Sequence, residues 1–172
     1  MSTPTTDGLA ITQIGVVVHD IREALRRYHE TLGWGPWNVY ELTPPRHHHT
    51  TLRGEPVDYS MIIAETHAAG PVDFELIQPL DGPSIYKEWL DEHGEGVHHV
   101  ACMRKGVDAK QLLADFEAQG IQRLMGGRIE DTIEYFYLDT EQRLKLILES
   151  GSGHAIDLQP SWVYPEPEGR AA

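Results

Sequence analysis

Polar and apolar positions along this chain follow one pattern twice, in which a β-type run leads into an amphipathic helix and then into further β-type runs. Residues 10–18 are almost continuously apolar, which predicts a buried strand, and Gln13 interrupts it. Asp20 suits the N-cap of a helix over residues 21–32, where Leu25, Tyr28 and Leu32 recur at helical spacing, and Gly33 ends it. Residues 34–42 read as a strand and Pro44–His49 as a loop. Strands over 57–64 and 72–78 follow, the first with Tyr59, Met61 and Ile63 on one face. A short helix over 83–93 carries Ser84, Tyr86, Trp89 and Leu90 and stops at the breaker His93–Gly96.

The second occurrence starts with a strand over 97–103. A helix over 108–119 bears Leu112, Leu113 and Phe116, and strands over 121–125, 133–138 and 144–150 complete it. Polar residues fall at equivalent places: Gln13 and His99 interrupt the opening strands, and Glu75 and Glu149 are lone carboxylates in the closing ones. The chain therefore divides into a module at 9–82, a linker helix and turn at 83–96, a second module at 97–150 and a tail at 151–172. The tail is rich in Gly, Pro and Glu, so loose order is expected, with Trp162 and Tyr164 available to pin it.

Composition narrows the function classes. At 172 residues and 40% apolar, the chain can bury a core as one domain or as two fused halves. No apolar run approaches the roughly 18 residues of a membrane span, and Met1–Pro4 opens no basic-then-apolar leader, so the expectation is a cytoplasmic protein without a membrane partner. A net charge of −13 with only 14 Lys and Arg argues against nucleic acid. Arg46, Arg53, Arg104, Lys105, Arg123 and Arg128 still suffice for a small anion. Cys102, the single cysteine, sits in an apolar strand and reads as a small buried hydrophobe.

The runs Phe74–Leu80, Ser84–Tyr86 and His93–Ala101, set in this duplicated pattern, resemble the vicinal oxygen chelate superfamily over about residues 9–150. That group includes glyoxalase I, methylmalonyl-CoA epimerase, extradiol dioxygenases, fosfomycin-resistance enzymes and bleomycin-binding proteins. The resemblance implies an α+β fold in which two tandem βαβββ modules form an open, half-barrel sheet around a metal site. Its ligand positions fall on Gln13, Glu75, His99 and Glu149, the order seen in glyoxalase I of the zinc-using type, whereas the epimerases usually carry His first and Gln second. One divalent ion is implied, Zn²⁺ first, with Ni²⁺, Co²⁺, Mn²⁺ or Fe²⁺ as alternatives. The residues support this independently, because an unpaired carboxylate in a strand of Val, Ile and Leu is costly to bury. His98, adjacent to His99, is expected on the opposite face of its strand.

The resemblance further implies a metal-dependent isomerase, epimerase or lyase that moves a proton next to a carbonyl or similar metal-chelating oxygen of a small-molecule substrate, with Glu149 as base. A second base, if the reaction is epimerisation, points to Glu55 and then to Asp58. A homodimer is expected. Alternatives are a small-molecule binding or resistance protein, metal-free or metal-assisted, and an extradiol-type dioxygenase; the dioxygenase would need two His and one carboxylate, and only His99 is in place. His47, His48 and His49 read as surface or as a flap over the mouth, and His19, His29, His67, His93 and His154 show no ligand-like spacing. Trp34, Trp37, Tyr40, Tyr59, Tyr86 and Trp89 serve a flat substrate or the core.

Overall fold

The computed structural model describes residues 8–104 and 106–166. Lys105, Met1–Pro4 and the end of the tail beyond residue 166 lie outside the described residues. The first half comprises β1 (Gln13–Val17), α1 (Ile21–Leu32), β2 (Trp37–Leu42), β3 (His47–Leu52), β4 (Glu55–Pro56), β5 (Met61–Thr66) and β6 (Asp73–Pro79). After α2 (Ile85–His93) come β7 (Gly96–Arg104), α3 (Ala109–Glu117), β8 (Arg123–Ile129), β9 (Ile133–Leu138), α4 (Glu141–Leu144), β10 (Ile147–Ser152) and β11 (Trp162–Tyr164).

The helices start where the capping residues predict. Asp20 accepts a hydrogen bond from the Glu23 amide at 2.9 Å, and Gly33 closes α1 in the left-handed region at φ 68°. Ser84 and Asp108 cap α2 and α3 in the same way. Of the apolar stripe expected on α1, Leu25 is buried, whereas Leu32 at its last turn is 52% exposed.

All described strands join one open, mixed sheet in the order β11-β2-β5-β6-β1-β7-β10-β9-β8-β3-β4. β1 lies parallel to β6, β7 lies parallel to β10, and β1 and β7 meet antiparallel at the centre. The pairing β2-β5-β6-β1 is repeated as β8-β9-β10-β7, so each half is a strand, a helix and three strands with the same neighbours. Each half also caps the other's edge. The β3–β4 hairpin of the first half pairs with β8, and β11, beyond the second half, pairs with β2. Only Thr43–Arg46 separate β2 from β3, although the two lie near opposite ends of the strand order, so the sheet must curl to bring those ends together.

Curling splits the core. α1 covers one part of the convex surface over Val16, Val18 and Leu76, and α3 covers another over Cys102, Phe136 and Leu148. The concave side is filled by Tyr40, Tyr59, Met61, Ile63 and their partners, with α2 plugged into it through Ile85 and Tyr86. Two expectations change here. His47–His49 open a strand over residues 47–52 rather than ending a loop, since backbone pairing to β8 and β4 builds it and three histidines show no apolar alternation. The tail is tied down as far as it is described: β11 pairs with β2, the Arg22 guanidinium stacks over Trp162 at 4.2 Å, and Ala155 and Leu158 are buried.

Candidate metal centre

Gly15 stands at the middle of the site. It is in register with Glu75 on β6 and His99 on β7, and Glu75 is in register with Glu65 on β5. Two residues earlier, Gln13 is paired with Ala101, Ala101 with Glu149, and Glu149 with Tyr137 on β9. The two rows, Glu65–Glu75–Gly15–His99 and Tyr137–Glu149–Ala101–Gln13, are images of one another under the repeat. Alternate residues of a strand share a face, so both rows look into the concave side. Glycine is required in the middle because a Cβ on Gly15 would overlap the His99 imidazole.

Glu75, His99 and Glu149 are buried and bring ligand atoms within 4.8 Å of one another. His99 Nε2 lies 3.0 Å from Glu149 Oε2 and 3.7 Å from Glu75 Oε2. Despite that proximity, His99 Nε2 and Glu149 Oε2 are not aligned for a hydrogen bond, and neither has a partner among the described residues. Buried polar atoms are almost always paired. Burial and the neighbouring Glu149, Glu65 and Asp73 hold the Glu75 carboxyl well above its ordinary value, and burial with Asp73 nearby pushes Glu65 up to about 8. Converging oxygen and imidazole donors in an acid cluster that repels itself fit a divalent cation, which would satisfy the orphaned atoms and offset the repulsion. Gln13 lines the same cavity, and its Nε2 donates to Glu65 Oε1 at 2.6 Å.

His98 does not turn to the far face. A bulge where β7 passes Gly15 and Val16 re-aims it, so both histidines are buried on the concave side, and His98 packs against Tyr86 and Trp89. The Nδ1 atoms of His98 and His99 are 3.0 Å apart. As a ligand through Nε2, His99 would keep its hydrogen on Nδ1, where it can donate a hydrogen bond to His98 Nδ1 and orient the ring.

The cavity encloses about 50 Å³ and has an apolar wall that includes Met61, Ile63, Ile129 and Ile133. His154 and Ala155 line it from the C-terminal segment. That strap is held by His154 Nε2–H on Asp73 Oδ2 at 2.7 Å, by Tyr40 O–H on the Ala155 carbonyl at 3.1 Å, and by Arg46 Nη2 on the Gln159 carbonyl at 2.6 Å. Glu55 and Asp58, by contrast, are exposed near the β3–β4 hairpin and do not line the cavity. Strand pairing carries the hairpin to β8, away from the row of acids.

A family model for the glyoxalase/bleomycin resistance protein/dioxygenase superfamily matches residues 12–136. The chain belongs to this superfamily. Among curated relatives of this glyoxalase-superfamily protein, the uncharacterized protein YqjC of Bacillus subtilis strain 168 is 28% identical over 114 residues, covering 66% of this chain and 71% of the relative. Among solved structures, Streptomyces coelicolor methylmalonyl-CoA epimerase in complex with 2-nitronate-propionyl-CoA is 25% identical, with a TM-score of 0.54 over 84% of this chain and 97% of that one. The epimerase of Mycobacterium tuberculosis is 17% identical, with a TM-score of 0.52 over 84% and 87%, a likeness of fold. Epimerases of this kind belong to the vicinal oxygen chelate superfamily, so the fold expectation from the sequence holds.

Several site residues of this superfamily member were not singled out from the sequence. Glu65 sits one residue beyond the predicted strand, yet it continues the Met61–Ile63 face, and an acid on that face was the available signal. Tyr135 and Tyr137 follow the same logic on β9. Asp73 and His154 meet only through the strap, and no sequence spacing announces that contact.

Proposed function

We propose that this protein is a metal-dependent enzyme that transfers a proton at a carbon next to a carbonyl or similar chelating oxygen, as an isomerase, epimerase or lyase, with Glu149 as the base. The convergence of buried Glu75, His99 and Glu149, two of them with unpartnered atoms, carries this reading. Glu75, His99, Glu149 and the Gln13 amide oxygen would hold the ion, Zn²⁺ being the first choice for such a mixed nitrogen and oxygen set. When bound, a divalent ion polarises a substrate oxygen and stabilises the negative charge that develops as the proton leaves.

The chain's own residues do the rest. Glu149 accepts the proton; an ionised carboxylate has lone pairs beyond those used in one ligand bond. Tyr137, in register with Glu149 and hydrogen-bonded to Tyr86 O–H at 2.7 Å, orients a substrate oxygen. The Met61, Ile63 and Ile133 wall holds the carbon skeleton and excludes water that would compete for the proton.

The Streptomyces relative's complex with a nitronate supports the reaction class, because a nitronate carries charge on oxygens beside the carbon that has lost its proton. The small volume of the cavity, about 50 Å³, favours a small reacting group. Arg46 and Arg53 do not line the cavity and are paired with Glu130 and Glu88. A homodimer is part of this reading, checked by sedimentation.

Exchange of substrate hydrogen for deuterium in D₂O is the test, run on Zn²⁺-loaded protein against 2-oxo acids, cyclic ketones and acyl-CoA thioesters. Glu149→Gln keeps an oxygen donor but cannot take up a proton at neutral pH, so washout should fall by about 10²–10⁴. Undiminished washout in that variant removes Glu149 as the base.

A further inference from the structure

Each central donor leans on an outer residue of its own half. In the second half, the Tyr137 ring meets the His99 ring nearly perpendicular, with centroids 5.0 Å apart. In the first half, the equivalent outer position holds Glu65, which is in register with Glu75 as Tyr137 is with Glu149. Glu65 receives the Gln13 side-chain amide at 2.6 Å. Gln13 and Glu65 are only 8% and 7% exposed, so water does not compete for this short bond.

The chemistry of a primary amide gives this contact a consequence. Its oxygen can bind a metal, whereas its nitrogen lone pair is delocalised and cannot. A half-turn about the last torsion exchanges the two ends, and a glutamine side chain has little intrinsic preference between them. A carboxyl group offers an acceptor oxygen in either protonation state, and Glu65 Oε1 takes that role toward Gln13 Nε2. Glu65 therefore captures the NH₂ end and leaves Oε1 as the free end of Gln13. It also draws the amide N–H outward and enriches the oxygen in electron density, as outer acceptors do for metal-bound imidazoles.

We propose that Glu65 is a positioning residue for the metal centre, setting the Gln13 amide so that its oxygen faces a divalent ion held with Glu75, His99 and Glu149. This rests on the metal reading above and extends it to a residue that does not itself touch the ion. The equivalent position in the other half is filled by Tyr137, whose ring packs against His99.

The test measures Zn²⁺ affinity by chelator competition and the visible spectrum of Co²⁺-loaded protein. It compares the parent with Glu65→Leu, Glu65→Gln, Gln13→Met and the Gln13→Met/Glu65→Leu double variant. Glu65→Leu should weaken Zn²⁺ binding about 10–100-fold and shift the Co²⁺ bands. Glu65→Gln, which keeps an acceptor oxygen, should recover most of that affinity, and Glu65→Leu should have no further effect once Gln13 is Met. Parent-like affinity in Glu65→Leu overturns the proposal and leaves the metal site standing, and so do losses that simply add in the double variant. Equal losses in Glu65→Gln and Glu65→Leu also overturn it, in favour of a bulk charge effect. A parent that binds neither ion overturns the metal site and this role with it. If Glu65→Leu does not fold, the Gln13 side-chain amide protons of the parent decide by ¹⁵N NMR. Slow exchange supports the contact, and exchange as fast as in a free glutamine overturns it.

Discussion

At the scale of single residues, Gly15 and the three convergent donors make the sharpest claims. A methyl group at Gly15 meets the His99 ring, whereas one at Gly96, on the same central pair of strands, meets nothing within 4 Å. Gly15→Ala should therefore cost about 1–3 kcal/mol through overpacking and displace the imidazole, while Gly96→Ala should stay within about 0.5 kcal/mol of the parent. Denaturant melts and Zn²⁺ titrations of the two variants check this. Equal behaviour would mean that the His99 ring has room to move. His99→Ala and Glu75→Gln should purify with little divalent metal, read by elemental analysis of tag-free protein. Parent-like metal content in both would dismiss these residues as ligands.

At the scale of elements, β3 and β7 depart most from what their residues announce. In β7, the bulge opposite Gly15 places two consecutive histidines on one side, a result that strict alternation forbids. In β3, His47 is buried where a loop was expected, with Nδ1–H donating to the Tyr59 carbonyl at 3.0 Å and Nε2 accepting from Tyr135 O–H at 2.7 Å. Burial lowers the His47 pKa from 6.5 to about 4. The unfolded chain therefore takes up this proton first as acid is added. Stability is highest above the unfolded value and falls as pH drops from 6.5 toward 4, by roughly 3 kcal/mol in total. His47→Gln removes that titration, so the stability gap between parent and variant should narrow by about this amount between neutral pH and pH 4. Urea melts across the range measure it. A gap independent of pH would place the titration elsewhere.

At the scale of the whole molecule, the duplicated sheet concentrates acids that no single element would tolerate. Glu65, Asp73, Glu75 and Glu149 come from three strands and share one cavity. A cation bound only by the folded state stabilises it by mass action, by about 2.7 kcal/mol at 100 times the dissociation constant. Zn²⁺ should therefore raise the melting temperature of metal-stripped protein by roughly 5–10 °C. The rise should vanish in His99→Ala. A parent whose melting is indifferent to Zn²⁺, Ni²⁺, Co²⁺, Mn²⁺ and Fe²⁺ would favour the alternative of a metal-free binding protein.

What the sequence by itself determined was the repeat. Local patterning places α1, α2 and α3 within a few residues, because caps and apolar stripes act over one or two turns, and it singles out Gln13, Glu75, His99 and Glu149 because a polar residue in an apolar strand stands out. What only the tertiary structure decided depends on pairing between distant segments. The β3–β4 hairpin crosses to β8 and leaves Glu55 outside, the strap carries His154 to Asp73, and the curl of β5 onto β6 delivers Glu65 to Gln13. Strand partners are chosen by backbone hydrogen bonds that every residue can make, so their identity leaves little trace in side-chain order, whereas the periodicity that builds each strand is written in the side chains themselves.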